Sequence, residues 1–275
     1  MRVEDLIVYG KKYISSSHAK LLLADLLKKN PLELLLILDL EVEPNLVQEY
    51  QRKVLALKNN YPIQYVIGHV NFYGYEFLVN QDVLIPRFET EELVEKVLQY
   101  EQNCGKNNLS VLDLGCGSGC IGITLKKKLP NLLVTLVDKS EKALIVAKEN
   151  AKRLEADVTF YQSDWVSNLP IEQYDIIVSN PPYIKDGEEI EKIVRGNEPS
   201  LALYGGKEGI DCYRQILETS YPYQKDSTLF AFEIGSDQKD LLTSLVEKTY
   251  PDRRVVVEKD MQGRNRMLFV LPKNE

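Results

Sequence analysis

Val111-Leu112-Asp113-Leu114-Gly115-Cys116-Gly117-Ser118-Gly119 restricts the fold of this chain more than any other stretch. The apolar run reads as a buried strand, and alternate glycines end it in a sharp turn. Cys120-Ile121-Gly122-Ile123-Thr124-Leu125 follows at once and opens a helix. Glycine here frees the backbone to turn and lets a ligand come close to it. A second apolar run, Leu133-Val134-Thr135-Leu136-Val137-Asp138, ends in an acid about 20 residues after the last glycine. An acid at the end of the next parallel strand is placed to accept from ribose hydroxyls. The two features, one strand apart, predict a nucleoside-binding half-sheet. The turn is Gly-x-Gly-x-Gly, not the Gly-x-Gly-x-x-Gly of dinucleotide sites, and no Lys-Ser/Thr pair for phosphate follows it.

From residue 81 onward strands and helices alternate. Strands are predicted near 109–114, 133–138, 157–162, 174–179, 228–234, 254–258 and 266–271. That order predicts a doubly wound α/β sheet, largely parallel, with ligands at the carboxyl ends of its strands. Residues 1–80 read differently, as a helical unit with a hairpin linker. Ser17 is expected to cap a helix over Ala19–Lys29, and proline restarts a helix at Asn30-Pro31 and again at Pro44. Leu22, Leu26, Leu34 and Leu38 recur at helical spacing and predict the core of a small bundle, suited to gripping a partner. Aromatic and apolar residues on both sides of Gly74 suggest a hairpin. Thr90 or Glu89 would then begin a helix over Glu91–Gln102.

Asn180-Pro181-Pro182-Tyr183 follows the apolar run Tyr174-Asp175-Ile176-Ile177-Val178-Ser179. Both prolines lack a backbone donor and hold φ near −65°, and each residue before a proline is pushed to an extended conformation. The result is a stiff set of acceptors at a strand's carboxyl edge, walled by an aromatic ring. Such a pocket receives a planar –NH2 group, whether a carboxamide or the exocyclic amine of a base.

Global properties bear on the choice of partner. The net charge is −7, and the lysines and arginines of residues 1–60 are spread among acids, so nothing favours a polyanionic duplex. The start has early acids and no apolar secretory core, and the apolar stretch Leu34-Leu35-Leu36-Ile37-Leu38, as long as any in the chain, is too short to span a bilayer. Cys104, Cys116, Cys120 and Cys212 show no paired metal spacing, and with only two histidines the expectation is reduced thiols and no metal. These features point to a cytoplasmic protein without a membrane partner.

The glycine turn with Asp138 resembles the first motifs of Rossmann-like S-adenosylmethionine-dependent methyltransferases, and Asn180-Pro181-Pro182-Tyr183 resembles the signature of those acting on amino or amide nitrogen. The likeness narrows with Pro62-Ile63-Gln64-Tyr65-Val66-Ile67-Gly68, Phe72-Tyr73-Gly74, Ile85-Pro86-Arg87-x-Glu89-Thr90-Glu91, and Glu198-Pro199-x-Leu201-Ala202-Leu203 with Gly205-Gly206. In that order these are similar to the HemK/PrmC family, over essentially the whole chain. Phe88 stands where a proline is common, and Cys116 where a threonine is frequent.

The resemblance implies a seven-stranded methyltransferase sheet with a small amino-terminal helical bundle that recognises the substrate. It implies methyl transfer from S-adenosyl-L-methionine, with S-adenosyl-L-homocysteine as product, to the glutamine amide nitrogen of Gly-Gly-Gln in class 1 peptide chain release factors. Gly115, Cys116, Gly117, Ser118 and Gly119 would line the methionine end of the cofactor, and Asp138 would hold its ribose. Asp164 would face the adenine amino group with Trp165 stacked on the ring, and Asn180 would border cofactor and substrate. Asn180 and the Pro181 carbonyl would accept the two amide N–H groups, with Pro182 and Tyr183 walling the amide and Arg87 and Glu89 at the pocket mouth. A nucleic-acid amino-methyltransferase remains the alternative from the tetrapeptide alone. The missing basic recognition segment tells against it, and no direct nucleic-acid contact is expected. A catalytically silent cofactor-binding scaffold is disfavoured by the glycine turn and the Asn180 pocket both being intact.

Overall fold

The computed structural model describes residues 1–104 and 108–273, apart from the side chains of Asn103 and Cys104, so the Cys104 thiol lies outside the described residues. Contacts divide the chain into a helical unit, Met1–His69 with Ile190–Asn197, and an α/β unit, Val70–Glu189 with Glu198–Glu275.

The helical unit carries α1 (Val3–Lys11), α2 (Ser16–Leu26), α3 (Pro44–Lys58) and α4 (Ile63–Ile67). Pro44 occupies the first position of α3, where its missing N–H is no loss. The cap of α2 is Ser15, not Ser17: Ser15 is extended, and its hydroxyl accepts from His18 N at 3.2 Å, so the helix starts earlier than expected. Asn30-Pro31 does not restart an α-helix. Asn30 Oδ1 accepts from Leu32 N at 2.9 Å and Glu33 accepts from Asn30 N at 2.6 Å, but only a 3-10 turn over Glu33–Leu36 follows. Beyond it the chain turns back along α1, where the Leu40 and Leu38 carbonyls accept from Val3 N and Glu4 N, donors that the helix itself leaves open. Leu22 and Leu34 bury with Leu6, Tyr50 and Val54, while Leu26 and Leu38 pack at the edge of that core.

A hairpin of β1 (His69–Phe72) and β2 (Tyr75–Leu78) opens the α/β unit. The boundary expected at 80/81 falls instead at His69/Val70, because Phe72 and Phe77 bury in the α/β core with Leu93, Val97 and Val134. Then come α5 (Phe88–Cys104), β3 (Ser110–Leu114), α6 (Cys120–Lys128), β4 (Leu133–Asp138), α7 (Glu141–Arg153), β5 (Thr159–Gln162) and β6 (Tyr174–Ser179). After α8 (Lys192–Asn197), which belongs to the helical unit, the chain completes α9 (Asp211–Thr219), β7 (Gln224–Glu233), α10 (Lys239–Thr249), β8 (Val255–Lys259) and β9 (Asn265–Val270). Helix α5 starts at Phe88, so Thr90 lies inside its first turn instead of capping it.

The sheet has the order β5-β4-β3-β6-β7-β9-β8, with β9 antiparallel to both β7 and β8 and the other pairs parallel. Helices cover both faces, so successive strand residues enter different cores: Val111, Ile176 and Val178 one, Leu112, Leu114 and Ile177 the other. This explains the unbroken apolar runs. The strand order reverses between β3 and β6, and a crevice at such a point lies beyond the strands' carboxyl ends. Ser179 fastens it, its buried hydroxyl donating to Leu114 O at 2.6 Å. Among the described residues no helix is long and apolar enough to cross a membrane.

Candidate functional site

The end of β3 and the start of α6 are joined by glycines at φ 70° (Gly115), 55° (Gly117) and 81° (Gly119), left-handed conformations that other residues adopt only with strain. A Cβ on Gly119 would also lie 2.6 Å from Ile123 Cδ1 and 3.2 Å from Leu136 Cδ2. Two carboxylates hold this turn. Asp113, buried beneath it, accepts from Gly122 N at 2.9 Å, and burial raises its pKa to about 7. Asp138, at the end of β4, accepts from Gly117 N at 2.9 Å through Oδ2 and from Ser140 N at 2.8 Å through Oδ1. Burial raises its pKa too, though these backbone donors oppose the shift.

The turn borders a cavity of about 850 Å³, within the range of small-molecule sites. Of the residues expected to hold cofactor, Gly115, Cys116, Gly117, Ser118, Asp138, Asp164, Trp165 and Asn180 all line it, whereas Gly119 lies outside the lining, packed against Ile123 and Leu136. Trp165 is itself left-handed at φ 51°; its indole N–H donates to Gln215 Oε1 at 2.8 Å, and its six-membered ring covers Gly115. Asp164 is paired with Lys139 Nζ at 2.7 Å, an exposed ion pair that leaves further carboxylate lone pairs for a ligand. Ser118 Oγ, also on the wall, is buried and has no partner among the described residues.

Asn180 and Pro182 line the same cavity, whereas Pro181 is buried behind them and Tyr183 lies outside the lining. Asn180 Nδ2 donates to Thr90 Oγ1 at 3.2 Å, and Thr90 in turn donates to Glu233 Oε2 at 2.6 Å. The Tyr183 hydroxyl reaches the other oxygen of Glu233 at 3.4 Å. Burial and the Glu233 charge push the tyrosine pKa well up, so it stays protonated. The tetrapeptide is pressed against Gly205 and Gly209: a Cβ on either would collide with the carbonyl of Pro182 or Tyr183, respectively. Ile184 and Leu203–Gly205 pair beside it, with Ile184 N donating to Leu203 O and Gly205 N to Ile184 O.

Arg87 lines the cavity but its guanidinium donates to Glu198 Oε1, and Glu198 Oε2 accepts from Ile85 N at 3.2 Å. The two remote motifs are thus halves of one strut beside the site. Glu89 accepts from Arg264 Nη2 at 3.0 Å and lies outside the cavity lining. From the sequence, Thr90 reads only as a helix start and Cys212 only as a reduced thiol; Glu233-Ile234-Gly235 ends a strand near the site without an assigned role, and nothing singles out Gln215. Among the described residues, no group of three or more His, Cys, Asp or Glu side chains is placed to hold a metal.

Comparison with known proteins adds three kinds of finding. Residues 14–68 match the PrmC N-terminal domain and residues 90–201 the methyltransferase small domain. The release factor glutamine methyltransferase of Bacillus anthracis is 37% identical, covering 98% of this chain and 99% of that one. The protein of the same name from Streptococcus pneumoniae is 43% identical over 84% of this chain and 81% of that one. Among solved structures, the T. thermophilus 16S rRNA N2 G1207 methyltransferase in complex with AdoMet and guanosine superposes with a TM-score of 0.54. It is 16% identical and covers 74% of this chain and 49% of that one, a likeness of fold.

Proposed function

This chain belongs to the release factor glutamine methyltransferase family, and from that premise we propose that it methylates the side-chain N5 of the Gly-Gly-Gln glutamine in class 1 release factors. The observation that carries the reading is Asn180 on the wall of the glycine-turn cavity, its NH2 already engaged by Thr90. The cavity fits S-adenosyl-L-methionine: Asp138 offers lone pairs to a ribose, Trp165 a flat apolar face, and Ser118 a hydroxyl still lacking a partner. Bound there, the cofactor would supply a methyl group already activated on a sulfonium.

What remains for the chain is positioning. A carboxamide nitrogen is a weak nucleophile because its lone pair is delocalised into the carbonyl. Asn180 Oδ1 and the Pro181 carbonyl accept its two N–H groups, fixing the amide's rotation and stabilising positive charge as it develops on nitrogen. Tyr183, outside the cavity lining, supports the tetrapeptide from behind through its hydroxyl on Glu233. No strong base is needed, because methyl transfer first leaves a positively charged nitrogen bearing the methyl and both protons, and that cation is acidic enough to lose one proton to water. A neutral Asn also avoids an unpaired charge in a partly buried pocket. The tetrapeptide would serve an exocyclic base amine equally well; the full-length relatives favour glutamine. Asn180→Ala should lower turnover by about 10²-fold or more while S-adenosylhomocysteine still binds. Near-normal turnover in that variant would remove Asn180 from the reaction.

A further inference from the structure

Glu233 is a carboxyl group at the carboxyl end of β7, 2% exposed, that the chemistry above leaves unused. We propose that Thr90 and Glu233 are positioning residues that dictate which end of the Asn180 carboxamide faces the substrate. The inference rests on the reading that Asn180 Oδ1 is the substrate's acceptor.

The direction of each hydrogen bond follows from donor and acceptor inventory. An ionised carboxylate only accepts, and a threonine hydroxyl has one proton to give. Thr90 Oγ1 donates to Glu233 Oε2 at 2.6 Å, a short O–H···O bond, so its proton is committed there. Burial, with the Glu89 charge, raises the Glu233 pKa, and the Thr90 hydroxyl and the Arg266 charge oppose that shift only in part; in either state of the carboxyl, Oε2 is the atom that accepts from Thr90. Thr90, itself 2% exposed, is left with lone pairs only, and Asn180 lies 3.2 Å away. Asn180 must therefore turn its NH2 toward Thr90 and its Oδ1 away from it. The two ends of a carboxamide are nearly identical in shape, so packing alone would not choose between them. An inverted Asn180 would meet an incoming –NH2 with donors against donors. Tyr183 contacts the other oxygen of the same carboxyl, so Glu233 refers both ends of the tetrapeptide to one buried side chain.

The test uses the full-length protein with Thr90→Val, Thr90→Ala and Thr90→Ser, each alone and in the Asn180→Ala background. Turnover is read by mass spectrometry of a purified release factor, and cofactor affinity by calorimetry with S-adenosylhomocysteine. Valine and alanine should lower kcat about tenfold with cofactor affinity within about twofold, and serine should restore kcat to within about twofold. In the Asn180→Ala background the Thr90 changes should have no further effect on kcat, because the residue they orient is gone. A serine variant as slow as the valine one, or a valine penalty that persists undiminished without Asn180, overturns the proposal. Side-chain NMR decides it whatever the substrate is. The Asn180 δ-amide protons, assigned by their loss in Asn180→Ala, should exchange slowly with solvent in the wild type and Thr90→Ser. In Thr90→Val and Thr90→Ala they should exchange at least about tenfold faster; equal rates throughout would refute the bond's orienting role. A wild-type protein that leaves release factors unmethylated while showing the protected amide would fail the substrate reading and not this one.

Discussion

Replacing Asp113 with Asn asks whether the carboxyl beneath the glycine turn is kept neutral by its surroundings. Asp113 is fully buried; Oδ2 accepts from Gly122 N at 2.9 Å, and Oδ1 has no partner among the described residues. Burial raises its pKa from 3.8 to about 7, the Gly122 N–H works against the shift, and the Asp138 charge adds to it. Between those two values the folded chain keeps a proton that the unfolded chain has released. Stability from this group is therefore lost as pH rises through that window, by about 1.4 kcal/mol per pH unit, and levels off above the folded pKa. Between about pH 5 and pH 8 the wild type should lose about 2.5 kcal/mol that Asp113→Asn does not. The variant's amide brings an unpartnered N–H group of its own, but that penalty is the same at every pH and drops out of the comparison. Urea unfolding without cofactor, followed by the fluorescence of Trp165, the single tryptophan, reports on the α/β unit. The variant should gain on the wild type steadily up to about pH 7 and little beyond it. A difference that stays flat across the range would mean that Asp113 carries the same charge folded and unfolded, and the reasoning from burial would fail.

Two further outcomes follow from the same structure. Arg87→Ala strips the buried Glu198 of its cation, so urea unfolding should show a loss of about 3 kcal/mol, largely recovered by adding Glu198→Gln; a loss under about 0.5 kcal/mol would make the pair a solvated surface contact. In the helical unit Leu32, Leu35 and Leu36 are 75%, 56% and 84% exposed, an apolar surface without an internal role. Assigning release-factor recognition to that unit, we expect the triple change to Ser to raise the KM for the release factor about tenfold and leave cofactor affinity alone; an unchanged KM would move recognition elsewhere.

What was legible in the sequence was local. The strand ending in Gly115-Cys116-Gly117-Ser118-Gly119, the acid closing β4, and Asn180-Pro181-Pro182-Tyr183 each announce themselves within a few residues, because backbone freedom and missing donors are properties of short segments. The seven strands were readable since both faces of the sheet are buried and their apolar runs are continuous. Long-range pairing was not readable. That Arg87 pairs with Glu198, that Glu89 pairs with Arg264, and that Glu233 and Asn180 converge on the Thr90 hydroxyl cannot be read from neighbouring residues. The hairpin's allegiance likewise depends on Phe72 and Phe77 finding a core that sequence order does not reveal. Asn30-Pro31 misled because a good helix start does not oblige a helix when the following carbonyls are drawn to the open end of α1.

The most direct measurement is tandem mass spectrometry of a purified class 1 release factor incubated with this protein and S-adenosyl-L-methionine. The account predicts one added methyl, localised to the side-chain nitrogen of the glutamine in Gly-Gly-Gln and lost with Asn180→Ala. An unmodified glutamine, with methyl transfer to RNA or DNA in a parallel incubation, would contradict it.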